Sequence, residues 1–101
     1  MPVTTDLALT ARRMKALGHP VRLGIASSLA EQPETCACDF AEVFGVSQPT
    51  VSEHLRVLRE AGLVVTERRG TQICYSLDPA AVDELAGTLS ALRPAMLRRT
   101  A

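Results

Sequence analysis

The chain has 101 residues, which suits one small domain, and its 11 Lys and Arg residues balance its 11 Asp and Glu residues. This balance argues against a polybasic protein that coats DNA or anionic lipid by bulk charge alone. Aromatic residues make up only 3% of the chain, so an aromatic platform that stacks unpaired bases is not expected. No apolar run approaches the roughly 20 residues that cross a bilayer, and the N-terminal basic residues follow a weak apolar stretch, the wrong order for a secretory signal. We therefore expect a cytoplasmic protein with no membrane partner.

Apolar periodicity and the positions of Gly and Pro divide the chain into five helices and one β-hairpin. In chain order we predict a helix over about 6–17, a second from Pro20 to before Pro33, a third that Gly45 ends and a fourth that Gly62 closes. Two strands follow over 63–67 and 72–77, joined by a basic turn at 68–71. A last helix is predicted over about 79–92. This order predicts one domain over 1–101 that is mainly α with a small β-hairpin. The fold is a winged helix-turn-helix, with the helix-turn-helix at about 37–61 and the wing at about 63–77.

The segment 40–55 has the pattern of a helix-turn-helix that reads a DNA major groove. Gly45 makes the turn, and Val46, Val51 and Leu55 pack the second helix against the first. Short polar side chains and backbone N–H groups at the start of the second helix can contact phosphates and base edges. The wing arginines can contact phosphates or the minor groove. The candidate DNA contacts are Ser47, Gln48, Pro49, Thr50, Ser52, His54 and Arg56 on this helix, with Arg68 and Arg69 on the wing. The plainer alternatives are a capped surface helix and a charged hairpin tip that meet only water.

Cys36 and Cys38 form a candidate thiolate ligand pair. They are separated by a single residue and lie at a predicted helix start. The partial positive charge of a helix N-terminus favours thiolates, and soft thiolates select As(III)-like or Cd-like ions. At about 100° per residue, two positions apart on a helix point roughly 200° apart, so both sulfurs cannot reach one ion while the first turn stays helical. We therefore expect ion binding to distort the start of the helix that supports the recognition helix. Small apolar cysteines without a ligand are the alternative.

Cys74 is a candidate third ligand on the second wing strand. In a winged-helix sheet the short segment 34–36 commonly pairs with that strand, which would bring Cys74 near Cys36. The alternative is an inert strand cysteine.

From about 14 to 77 the chain resembles the ArsR/SmtB family of winged-helix metalloregulatory repressors. The resemblance lies in the segments KALGHPVRL (15–23), CACD (36–39), SQPTVSEHL (47–55) and LREAGLV (58–64). It implies a homodimer built from the first and last helices, about 6–17 and 79–92. It also implies that the dimer binds a double-stranded operator with dyad symmetry and releases it when an inducer binds.

Within this family the Cys-x-Cys-Asp segment resembles that of the arsenic/antimony sensors and of the cadmium/lead sensors. The cadmium/lead sensors usually add cysteines from an N-terminal arm, and this sequence has none before Cys36. Zinc- and nickel-type members place His on the last helix, where this sequence has none. The resemblance therefore implies As(III) or Sb(III) as the inducer and no organic cofactor. Many arsenic sensors have a further cysteine where this chain has Ala41, which leaves Cys74, an external thiol or no third ligand as alternatives.

Other function classes fit the sequence less well. The same fold could act as a cadmium-type sensor, or as a redox or persulfide sensor through Cys36 and Cys38, although a Cys-x-Cys disulfide is strained. A thiol oxidoreductase or arsenic-processing enzyme is disfavoured because the sequence has no Cys-x-x-Cys, no phosphate loop and no Ser-His-Asp-like set. A module that only dimerises would have no use for an exposed Ser-Gln-x-Thr face. We therefore expect a DNA-binding repressor and not an enzyme.

Overall fold

The computed structural model describes residues 6–32 and 35–98, with the backbone alone for 35–39 and 97–98. Its elements are, in chain order, α1 (Leu7–Leu17), α2 (Pro20–Glu31), β1 (Thr35–Cys36), α3 (Ala37–Phe44), α4 (Gln48–Glu60), β2 (Val64–Arg69), β3 (Gln72–Leu77), α5 (Pro79–Ala91) and α6 (Ala95–Arg98). The predicted winged helix-turn-helix order is confirmed. The short helix α6, which follows Pro94, is not among the predicted elements.

Four helices begin at residues whose side chains accept a hydrogen bond from the first turn. Asp6 caps α1, Ser47 caps α4 and Asp78 caps α5 through a side-chain oxygen, and His19 caps α2 through its Nδ1. Gly45 and Gly62, on either side of α4, have φ values of 66° and 80°. Since L side chains rarely adopt this conformation, glycine is favoured in both turns, as the sequence predicts.

The core lies under one face of α4. Val51, Leu55 and Leu58 are fully buried at three- and four-residue spacing, which is the predicted apolar stripe. These side chains pack with residues from most of the other elements, among them Ala16, Ile25, Leu29, Phe40, Leu63, Ala81 and Leu85. The helix that carries the predicted DNA contacts is therefore held by the whole core while its other face remains in solvent.

The sheet has three antiparallel strands in the order β1-β3-β2. The predicted wing turn is wrong in length: Arg69 pairs with Gln72, so only Gly70 and Thr71 connect the strands. Gly70 has a φ of 64°, which suits a tight two-residue hairpin loop, and Arg68 and Arg69 consequently lie at the end of β2 rather than in the turn.

The terminal helices carry exposed apolar side chains. Leu7 on α1, Leu89 on α5 and Met96 on α6 are between 57% and 74% exposed. The helix α1 packs against α5, so these elements lie together. Over the described residues, no helix combines the length and apolar character that crossing a membrane requires.

Candidate nucleic-acid interface and thiolate site

The N-terminus of α4 presents the polar side chains predicted to read DNA. The Oγ of Ser47 accepts a hydrogen bond of 3.3 Å from the backbone N of Thr50 and lies 3.0 Å from the Thr50 Oγ1. The remaining predicted contacts of this first turn and a half, Gln48, Pro49 and Ser52, are exposed. Because the helix start faces solvent, its hydroxyls and side-chain amide, together with any N–H group that the cap does not engage, can meet phosphates and base edges.

The helix α3 fixes the position of this reading end. Phe40 is 2% exposed and lies in the core with Val51 and Leu55 of α4. The turn between the helices is closed by a 3.2 Å hydrogen bond from the Val46 N–H to the Ala41 carbonyl. A displacement of α3 would therefore be transmitted to α4 through packed side chains.

Two of the predicted arginines are already paired with carboxylates. On α4, Arg56 forms ion pairs with Glu53 and, at 2.8 Å, with Glu60. These partners raise the pKa of Arg56, and the Arg56 guanidinium lowers the pKa of Glu53. On the wing, the Nη2 of Arg69 lies 3.1 Å from the Oε1 of Glu67. All three ion pairs are exposed and individually weak, but they compensate two of the arginine charges that are predicted to contact DNA.

The predicted contact His54 is half-buried and faces α2. Its Nδ1 lies 3.2 Å from the Nη1 of Arg22, and its ring centroid lies 4.5 Å from that of His19. The pKa of His54 is lowered, first by burial and then by the charges of His19 and Arg22. A neutral imidazole at neutral pH does not neutralise a phosphate, so this geometry fits packing between α4 and α2 better than a charged DNA contact.

The three candidate thiolate positions converge at the edge where β1 meets α3. In the register of the sheet, Cys36 on β1 lies directly opposite Cys74 on β3, as the sequence predicts for this segment. Cys38 lies in the first turn of α3, two residues further along, so the prediction that both cysteines lie at the helix start is wrong for Cys36, which the pairing with β3 holds in a strand. The thiol of Cys74 is buried, whereas the side chains of Cys36 and Cys38 lie outside the described residues. In the described side chains no group of three or more His, Cys, Asp and Glu is arranged to hold a metal ion.

Sequence reasoning missed the contacts that α1 makes with the end of the recognition helix. The Nη2 of Arg12 and the Nε of Arg13 each donate a 3.0 Å hydrogen bond, to the carbonyls of Glu60 and Ala61 respectively. Cations are favoured at these carbonyls because the C-terminus of a helix carries partial negative charge. The partners lie 48 residues apart in sequence, so no local pattern indicates the contact.

A family model and the similar curated proteins indicate the same family for this chain. The family model described as "Bacterial regulatory protein, arsR family" matches residues 19–66. The arsenical resistance operon repressor of Bacillus subtilis is 38% identical over 79 residues, which cover 78% of this chain and 72% of that protein. The cadmium resistance transcriptional regulatory protein CadC homolog of Staphylococcus aureus is 37% identical over 75 residues, covering 74% of this chain and 62% of that protein.

A solved structure agrees with the fold described above. The homodimeric winged helix-turn-helix DNA-binding domain from Mycobacterium bovis has a TM-score of 0.71 and 30% identity, covering 90% of this chain and 89% of that chain. These relatives are regulators and not enzymes, as the sequence predicts. The chain therefore belongs to the ArsR family of bacterial regulatory proteins, which are DNA-binding transcriptional regulators.

Proposed function

We propose that this chain is a homodimeric repressor that binds a dyad-symmetric operator and releases it when As(III) or Sb(III) binds Cys36, Cys38 and Cys74. The observation that carries the proposal is the register that sets Cys36 opposite Cys74, with Cys38 at the start of α3. The similarity to an arsenical resistance operon repressor supports the choice of inducer.

The spacing of the three positions suits a small, soft, thiolate-binding ion. Directly opposed residues on antiparallel strands have Cα atoms about 4.5–5.5 Å apart, a separation from which two thiolates can share one ion. Cys38 follows after a single intervening residue, and the helix start favours its thiolate form. A set of three thiolates favours soft ions such as As(III) and Sb(III) over cations that prefer oxygen ligands.

Coupling to DNA follows from where α3 begins. The helix starts at Ala37, between Cys36 on β1 and Cys38 in the first turn. An ion that draws Cys38 toward the Cys36–Cys74 pair would shift or unwind this turn, because Cys38 is held in the helix and Cys36 in the strand before it. Because Phe40 on α3 is buried in the core beside α4, the shift would tilt the reading helix away from its productive orientation.

The dimer would be completed by the exposed apolar faces of α1, α5 and α6. Leu7, Leu89, Leu92 and Met96 would be removed from water at this interface, each stabilising the dimer by about 1–2 kcal/mol at full burial. The homodimeric state of the Mycobacterium bovis domain supports this assembly. Two reading helices about 34 Å apart would then contact successive major-groove faces of one operator, with Ser47, Gln48, Pro49, Thr50 and Ser52 at the groove and Arg68 and Arg69 on the flanking backbone.

The test is fluorescence anisotropy on a DNA duplex that the wild-type protein selects from a random-sequence pool. Arsenite and antimonite, at about one equivalent per protomer, should release the duplex, and zinc should not. Cys36→Ser and Cys38→Ser should bind DNA as the wild type does and should resist release. Thr35→Ser, which changes the same strand without removing a thiol, should behave as the wild type. Loss of DNA binding in the cysteine variants would make these residues structural and would refute the sensing site.

A cadmium sensor is the second candidate, favoured by the similarity to the cadmium resistance regulator. Release by cadmium but not by arsenite in the same titration would select it. Release by diamide or by a persulfide donor, with no response to any of the ions, would select the redox alternative instead.

A further inference from the structure

Carboxylates compensate two of the three arginines that the sequence predicts at the DNA, Arg56 and Arg69. Arg56 is compensated by Glu53 and Glu60, and Arg69 is compensated by Glu67. Affinity for duplex DNA depends strongly on cations that displace the condensed counterions of the phosphates. Further phosphate contacts are therefore expected from cations whose charge no carboxylate compensates.

Such cations line an open pocket of about 390 Å³ between α1, α2 and α4. Its charged residues are Arg12 and Lys15 from α1, Arg22 from α2, and Arg56 and Glu60 from α4. The single carboxylate, Glu60, is engaged by Arg56. The pocket is thus strongly cationic in a chain whose formal net charge is zero.

Three of the pocket cations keep their charge uncompensated. Arg12 and Arg22 donate to the backbone carbonyls of Glu60 and Ala16, at 3.0 and 2.6 Å, and these acceptors carry no formal charge. The ammonium of Lys15 is exposed and makes no ion pair or hydrogen bond with any residue that the structure describes. Arg12 and Arg22 are thereby held in place with N–H groups to spare, and Lys15 can reach a ligand at little conformational cost.

The pocket lies one groove width along α4 from the reading end. Gln48 and Arg56 are eight residues apart on the exposed side of the helix, which corresponds to about 12 Å of helix axis. The major groove is about 12 Å wide and about 8.5 Å deep, so its rim lies on the order of 10 Å from the base edges at its floor. When Gln48 is at the base edges, Arg56 and the adjoining pocket therefore come to the rim of the groove, where the phosphates of the backbone lie.

We propose that this pocket binds a backbone phosphate of the operator, with Lys15 as its principal electrostatic contact and Arg12 and Arg22 as oriented donors. The inference rests on DNA binding by the family and not on the identity of the inducer. It adds α1 and α2 to the DNA-contacting elements, so that each half-site is held by the wing on one side and by this pocket on the other.

The experiment compares wild-type protein, Lys15→Gln and Arg93→Gln on the selected duplex and on a scrambled duplex, over a series of KCl concentrations. Lys15→Gln should reduce the magnitude of the slope of log K against log[KCl] by about 1. It should weaken binding to both duplexes by a similar factor, because phosphate contacts are independent of sequence. Arg93→Gln removes the same charge from an exposed site outside the pocket and should leave the slope unchanged.

An unchanged slope in Lys15→Gln would overturn the proposal. A second arm then identifies what the pocket does: pyrophosphate is titrated into the DNA-free protein while the amide NMR signals of Lys15 and Arg22 are followed. Saturable shifts would assign the pocket to a small phosphate ligand rather than to DNA, and their absence would show that it binds no phosphate. Arsenite release, measured on the Lys15→Gln complex, should match that of the wild type, so a failure of the sensing proposal is distinguishable from a failure of this one.

Discussion

The Nε of Arg13 on α1 donates a 3.0 Å hydrogen bond to the carbonyl of Ala61, the residue that caps the C-terminus of the recognition helix. The same guanidinium forms a 2.6 Å ion pair, through Nη1, with Glu84 on α5. The Arg13 side chain is only 13% exposed and its bond to Ala61 is partly buried, whereas its partner Glu84 is 64% exposed. One residue thus joins α1 and α5 to the C-terminal end of α4.

Arg13→Ala should lower the free energy of unfolding by about 2 kcal/mol, because it removes a charge-assisted hydrogen bond and leaves a helix carbonyl without its donor. Urea denaturation measures the change. Arg59→Ala, at an exposed position in the last turn of α4, is the control and should cost about 0.5 kcal/mol at most. Equal losses in the two variants would show that the Ala61 contact contributes nothing specific.

Variants that remove the hydroxyls of Ser47 and Ser52 should distinguish a capping role from a DNA contact. Ser47→Ala removes the cap of α4 and should lower the free energy of unfolding by about 1 kcal/mol, as well as weakening DNA binding. Ser52→Ala, at an exposed position, should weaken DNA binding with a stability change within about 0.5 kcal/mol. Urea denaturation and anisotropy on the selected duplex give the two quantities, and full DNA affinity in Ser52→Ala would remove this residue from the interface.

Stability should depend on pH through His54. Its pKa is lowered in the folded protein, mainly by burial and also by His19 and Arg22, with a smaller opposing effect of Glu53. The unfolded chain therefore binds a proton more readily, so the free energy of unfolding falls as the pH drops below the ordinary value of 6.5 and levels off below the folded pKa. The free energy of unfolding, measured by urea denaturation at a series of pH values, should depend less steeply on pH in His54→Asn. This variant keeps an acceptor near the Nδ1 position. Identical slopes would show that His54 does not titrate differently in the two states.

Cys74→Ala should separate the third-ligand role from a packing role. The position is buried, and alanine fills it with little change, so we expect the fold to remain and stability to fall by about 1 kcal/mol. Arsenite affinity should fall by about tenfold or more, and X-ray absorption should count two sulfur ligands around arsenic instead of three. Ser76→Ala, two residues further along β3, is the control. Three sulfur ligands in Cys74→Ala would indicate an external thiol as the third ligand.

The recognition helix and its turns are readable from the sequence because their determinants are local. The capping hydroxyl of Ser47, the stripe of Val51, Leu55 and Leu58, and the closing Gly62 all lie within one segment and specify where α4 begins, which face it buries and where it ends. The pairing of the segment 34–36 with the second wing strand is predicted from the arrangement that is common in winged-helix sheets, and the structure pairs Thr35 and Cys36 with that strand.

The sequence by itself therefore determined the order of the elements, the reading end of α4 and the cysteine positions, since helix periodicity, capping and turn residues act over a few neighbours. Only the tertiary structure decided which charges remain available and which residues connect the helices. The Arg13–Ala61 and Arg22–His54 contacts join residues 48 and 32 positions apart. No periodic pattern in the sequence indicates contacts between side chains at such a separation. The compensation of Arg56 and Arg69, and the clustering of Arg12, Lys15 and Arg22, depend likewise on the distances that folding creates between side chains.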